Sequence, residues 1–270
     1  MISGIRLSLS ILLFCTALSV ASETAIANDL YVSNYSGGLI YKVSADGKVN
    51  TFAQGLEGPR GLVFDKSGNL YAANYNGNTV SRISSSGVVT TFATGFNNPF
   101  GLAFGEAGML YVSNYGGDTI SKVSPDGSVS VFAKGLNKPI GIAFDASNNL
   151  FVVNYGDNTI SKIDSSGLSA QFATGLNGPR GLVSDRSGNL FTANYSNNTI
   201  SKITNNGNVS LFASGLSGPR GLAIDSNRNL YAANSTMNSI SKMNSKGKVS
   251  VHATGLSSPY GLAIAPEKAH

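Results

Sequence analysis

The sequence predicts an all-β protein: a six-bladed β-propeller with four-stranded blades on a 40-residue repeat, closed by a 3+1 clasp between its N- and C-terminal strands. Three observations carry that expectation. Proline recurs at Pro59, Pro99, Pro139, Pro179, Pro219 and Pro259, each followed two positions later by glycine, from Gly61 to Gly261, and only Pro125 and Pro266 fall outside the series. Between these units lie short apolar or alternating runs, too brief for helices, separated by clusters of Gly, Asn and Ser. The two ends of the chain also supply complementary parts of a single blade.

In chain order, the first segment lies outside the repeat. Met1 to Arg6 carries one positive charge, Leu7 to Val20 is apolar, and small residues follow at Ser19-Val20-Ala21 and Ala25-Ile26-Ala27. This is the pattern of a secretory signal peptide, residues 1–27, cut after Ala21 or Ala27. The apolar run falls short of the about 20 residues of a membrane span, so no span is expected after cleavage. Cys15, the only cysteine, leaves with this segment, so the mature chain has neither disulfide nor thiolate metal site. The chain is therefore expected to be secreted or periplasmic, with a single propeller over residues 28–265, a tail over 266–270, and a monomeric state.

The second repeat shows the plan of a blade. Strand a is Arg60-Gly61-Leu62-Val63-Phe64, strand b Leu70-Tyr71-Ala72-Ala73-Asn74, strand c Thr79-Val80-Ser81-Arg82-Ile83, and strand d runs from Val88 to Ala93. The intervening Lys66-Ser67-Gly68-Asn69, Tyr75-Asn76-Gly77-Asn78 and Ser84-Ser85-Ser86-Gly87 are turns, in which Gly and Asn supply positive φ. Such turns suit a chain with 32 glycines and only 12% charged residues, about half the usual fraction of roughly 25%. The chain begins its repeats at strand b, Leu30-Tyr31-Val32-Ser33-Asn34, and ends at strand a, Pro259-Tyr260-Gly261-Leu262-Ala263-Ile264. Six complete blades result only if that last strand joins the first three, which also removes the free edges of an open array.

The net charge of +5 includes one cation per repeat, Lys42, Arg82, Lys122, Lys162, Lys202 and Lys242. Evenly spaced cations with long stems cover blade flanks rather than form a patch, and no basic run accompanies them, so nucleic acid is not an expected partner.

Leu110-Tyr111-Val112-Ser113-Asn114-Tyr115 with Thr119-Ile120-Ser121-Lys122-Val123 resembles the YVTN propeller repeat. The Pro-x-Gly-Leu-Ala strand followed by Asp-x-x-Gly-Asn-Leu-Tyr resembles the NHL repeat and the gluconolactonase-like, TolB-like six-bladed propellers. Resemblance to gluconolactonases implies a divalent cation at the channel, held by Glu, Asn and Asp. Glu57-Gly58-Pro59 invites that comparison, but the ligand positions fall just before the glycine of strand a. Here those positions hold Arg60, Phe100, Ile140, Arg180, Arg220 and Tyr260, so a metal of that type is not expected. Streptogramin lyase-like propellers, also similar to this repeat, imply a histidine base beside a metal. The mature chain offers only His252, in the strand d place held elsewhere by phenylalanine, and His270, the last residue. Neither is expected at the channel mouth.

The same six variable residues form the candidate site. In a four-stranded blade the d–a and b–c connections share a face, so Arg60, Phe100, Ile140, Arg180, Arg220 and Tyr260 should ring one channel mouth, a cationic arc opposite an apolar one. Arginine forks suit a carboxylate, a phosphate or an acidic peptide; the alternative is that they are solvated or pair with Glu57, Asp118 and Asp157. The Asn-Tyr pairs from Asn34-Tyr35 to Asn194-Tyr195 read as structural Asx-turns with a packed tyrosine. Ser235 interrupts the tyrosine series and should leave a groove beside Arg220. Asp65, Asp145, Asp185 and Asp225 read as turn stabilisers on the opposite face.

The reading that results is an exported binding module for a protein, peptide, glycan or anionic small molecule, with no cofactor and no catalytic residue assigned. Two alternatives stay open: a gluconolactonase-like or streptogramin lyase-like enzyme with an atypical site, and a structural repeat protein of the cell envelope.

Overall fold

The computed structural model describes residues 29–266; the expected signal peptide with Cys15, and the tail from residue 267 to His270, lie outside the described residues. Among the described residues, twenty-four strands form six antiparallel sheets of four, and the one helical element is a short 3-10 turn at Glu106–Gly108. The first blade is built as expected. Pro259–Ile264 pairs with Leu30–Asn34, setting Leu30 opposite Ile264 and Val32 opposite Leu262, and the sheet continues through Leu39–Val43 and Val49–Gln54. Among the described residues no helix is long and apolar enough to cross a membrane.

Burial follows position in the blade. Strand b is enclosed on both faces, as in Leu70–Asn74, where every residue is buried, and therefore carries small and apolar side chains. Strand d is the outer edge and exposes most of its residues, as in Val129–Ala133, where Val129, Ser130 and Val131 are all exposed. The aromatic residue of strand b locks each blade to its surroundings: the Tyr71 ring lies 5.0 Å from Phe92 on its own strand d and 5.2 Å from Phe104 on the next blade, both edge-to-face. The repeated cations lie along these flanks, with Lys122, Lys162 and Lys242 5.5–5.8 Å from the aromatic rings of strand b.

Strand a departs from regular pairing at one place in each blade. In the second blade Pro59 faces Asn74 and Leu62 faces Ala72, so two residues on strand a oppose one on strand b. The same shift recurs in all six blades. A bulge re-aims the side chain it carries, and the residue it carries is the variable one between proline and glycine.

Truncation after Ser258 removes the clasp strand and uncovers the buried edge of Leu30–Asn34. The shortened protein should aggregate and lose cooperative thermal unfolding; a monomer with an unchanged transition would disprove the clasp.

His252 takes the place of a phenylalanine, its ring 5.2 Å from Tyr231. Burial pushes its imidazole down from the ordinary value, with Lys242 adding to that and Asp46 opposing it. The folded protein thus binds fewer protons there than the unfolded chain. That contribution is fully present above the unfolded value of 6.5 and is lost as pH falls through the lowered folded value. His252→Phe should therefore lose less stability than wild type in urea titrations taken from about pH 7.5 to about pH 5.

Candidate functional site

The bulges deliver all six variable side chains to one end of the channel, where Arg60, Phe100, Ile140, Arg180, Arg220 and Tyr260 line a cavity of about 220 Å³. They do not contribute equally to its surface. Ile140 is wholly enclosed, Tyr260 is 5% exposed and Phe100 7%, so these three fill the mouth while the half-buried arginines reach its surface. The channel's other end is largely apolar, a cavity of about 530 Å³ lined by Phe64, Phe104, Phe144, Ile224 and Ile264, with Asp65 and Lys66 also in its wall.

Tyr260 is the centre of the arrangement. Its phenol oxygen accepts a hydrogen bond from Arg60 Nη1 on one side and from Arg180 Nη1, at 3.1 Å, on the other. Arg220 lies with its guanidinium carbon 4.4 Å from the centre of the same ring. The arginines are held by aromatic rings rather than by carboxylates. Arg60 sits 3.9 Å from the Tyr75 ring centre and 4.5 Å from Tyr35, and Arg180 sits 4.4 Å from Tyr195 and 4.8 Å from Tyr155. Such stacking fixes a guanidinium while leaving N–H donors free. The Nε atoms of Arg60 and Arg180 are buried with no partner.

The carboxylates weighed as partners do not pair with them. Among the described residues the ion pair present is Lys42–Asp29, at 2.8 Å. Asp118 instead accepts from the Lys138 backbone N–H at 2.8 Å, and Asp157 from the Thr159 hydroxyl at 2.7 Å. Nor does Ser235 open a groove. Its hydroxyl accepts from Arg220 Nε at 2.7 Å and donates to Gly218 O at 3.0 Å, so it anchors the arginine.

The Asn-Tyr pairs need correction on both members. Only Asn34 makes the expected bond within its own turn, accepting from Gly37 N–H at 2.8 Å. Asn74, Asn114, Asn154 and Asn194 instead donate across to strand c, Asn74 reaching Thr79 Oγ1 at 2.9 Å and Ser81 Oγ at 2.8 Å. A buried amide chooses these hydroxyls because they are the nearest acceptors that need a donor. Tyr75, Tyr115 and Tyr155 are wall residues of the mouth, and Tyr35 and Tyr195 stack on its arginines. These five tyrosines escaped the sequence reading as site residues, although their position on the b–c face, one per blade, was a signal that could have found them.

The gluconolactonase-type cation does not fit this mouth. Of the six variable residues only Tyr260 offers an oxygen, which is engaged by two arginines, and the arginines would repel the ion. No group of three His, Cys, Asp or Glu side chains gathers among the described residues. On the opposite face, the aspartates are turn stabilisers as expected: Asp65 accepts from Ser67 N–H at 2.9 Å and Asn69 N–H at 2.8 Å.

The sequence profile of the virginiamycin B lyase family matches residues 15–233 and, in an overlapping register, residues 93–270. The chain belongs to the virginiamycin B lyase family. Among solved structures, this family member is similar to a catalytically inactive virginiamycin B lyase from Staphylococcus aureus with quinupristin, at 19% identity over 90% of this chain and 94% of that one, with a TM-score of 0.69. It is similar to a gluconolactonase from Xanthomonas campestris at 18% identity over 76% and 79% of the two chains, TM-score 0.70. A chain of a nidogen/laminin complex overlays at TM-score 0.80, 20% identical over 90% of this chain and 100% of that one. At these identities the likeness is one of fold. The search of curated proteins gave no significant match.

Tyr260→Phe removes the acceptor that two arginines share, and should cost about 1–3 kcal/mol in urea denaturation. A loss within error would mean that the phenol does not hold them.

Proposed function

We propose that this family member is an exported binding module that takes an anionic ligand, whether a small molecule, a peptide or a glycan, at the arginine and tyrosine mouth. One observation carries the reading: three guanidiniums converge on the channel axis, fixed by aromatic rings and without a carboxylate partner. Arginine in that state presents in-plane donors that match carboxylate or phosphate oxygens. The leader pattern supports export. A thermal-shift screen of organic and inorganic anions on wild type and on the Arg60→Ala/Arg180→Ala/Arg220→Ala variant tests it. Hits should stabilise wild type alone, with each arginine contributing about tenfold in affinity, or about 1.4 kcal/mol. Equal shifts in both proteins, or no hit at all, would refute it.

Family membership favours a second reading, a lyase or hydrolase acting at the same face. No histidine among the described residues stands at the mouth, since His252 belongs to an outer strand, so that chemistry would rest on a different set of groups. Incubation with quinupristin and with simple lactones, with and without chelator, separates the two. Turnover by wild type supports the enzyme, and binding without turnover supports the module.

A further inference from the structure

The mouth is short of negative charge in a specific way. Arg60 and Arg180 both donate to the phenol oxygen of Tyr260, so their Nη1 atoms are separated by no more than two hydrogen-bond lengths. Arg220 packs against the same ring, and the three arginines come from three different blades. Three cations thus crowd one phenol, and among the described residues none of the three is in an ion pair. Like charges held this close repel one another, and partial burial weakens the screening that would relieve them. A single carboxylate occupies one arginine fork. A tetrahedral group with several peripheral oxygens and two charges can engage three forks converging from different directions, and it neutralises more of the excess. The tyrosines that line the mouth add hydroxyl donors to its surface.

We infer that the ligand presented to this mouth carries a dianionic tetrahedral oxyanion, a phosphate monoester or a sulfate, and that this group sits among Arg60, Arg180 and Arg220. The inference rests on the anion-binding reading above and narrows it. It also gives the arginines a cost in the free protein: their mutual repulsion is relieved when the dianion binds.

The test compares sodium acetate, chloride, sulfate and phosphate at matched ionic strength, so that general screening is common to all, using calorimetric binding and thermal midpoints. Sulfate and phosphate should bind at least about tenfold more tightly than acetate and raise the midpoint where chloride does not. A difference between sulfate and phosphate identifies which of the two chemistries the mouth prefers. Arg180→Gln removes one charge and leaves a neutral polar side chain in its place. It should have a higher midpoint than wild type in low-salt buffer free of multivalent anions, and a smaller shift on adding sulfate. Arg220→Gln should behave in the same way and covers the case in which the first variant misfolds. Equal binding of acetate and sulfate would overturn the dianion inference and leave anion binding standing. No binding of any anion would overturn both. A variant less stable than wild type in anion-free buffer, with an unchanged sulfate shift, would show that the arginines serve packing alone.

Discussion

At the channel wall, each inner strand runs so close to the next that a side chain on Gly61 would strike the carbonyl oxygen of Phe100, and one on Gly101 that of Ile140. The contact repeats around the ring until Gly261 meets the carbonyl of Arg60. Glycine is required here by close approach rather than by backbone conformation, since none of these six has a positive φ. The narrow channel, the pitch of the blades and the seam at the clasp all follow from that contact. Ser33 reinforces it at the seam, accepting from Gly261 N–H at 2.7 Å and donating to Arg60 O at 2.6 Å. The clasp strand and the first strand of the chain are thereby tied to each other and to the blade that follows.

The loops of the mouth are fixed by a second repeated device. Asn78, with φ of 54°, accepts from the Asn98 backbone N–H at 2.8 Å, and Asp118, Asn158, Asn198 and Asn238 do the same for residues twenty positions on. Each bond ties a b–c turn to the loop that enters the following blade. The tyrosine at the start of the turn is thus held beside the variable residue of strand a, which is the geometry that stacks Tyr75 on Arg60 and Tyr195 on Arg180. Satisfied backbone donors at the rim hold the loops of the mouth in place, and a rigid set of donors suffers little ordering cost on binding.

The strand plan, the clasp and the gathering of the six variable residues were legible because each depends on a period that the sequence repeats six times. The surroundings of Arg60, Arg180 and Arg220 were not. Whether a rim arginine pairs with a carboxylate depends on distances between blades, and sequence spacing gives only the face. Asp118 lies on the expected face, yet its side chain is committed to Lys138 N–H. Ser235 was visible as a gap in the tyrosine series, but its use as an anchor for Arg220 depends on the guanidinium's reach. The shared phenol of Tyr260 was hidden for the same reason, since Arg180 comes to it from a strand eighty residues away.

The position between proline and glycine can vary in chemistry because its backbone and its side chain answer to different constraints. Its carbonyl is locked into the glycine contact of the neighbouring blade, while the bulge turns its side chain out of the sheet and toward the axis. That side chain takes no part in strand pairing, which runs through the backbone on either side of the bulge. Arginine, tyrosine, phenylalanine and isoleucine therefore coexist at equivalent places without disturbing one another's blades. The scaffold fixes six addresses around one axis, and the chemistry of the mouth depends on which side chains stand at them and which tyrosines the turns bring alongside. A family sharing this fold can thus differ in what it binds or transforms through a few positions per chain, and in this member those positions concentrate positive charge.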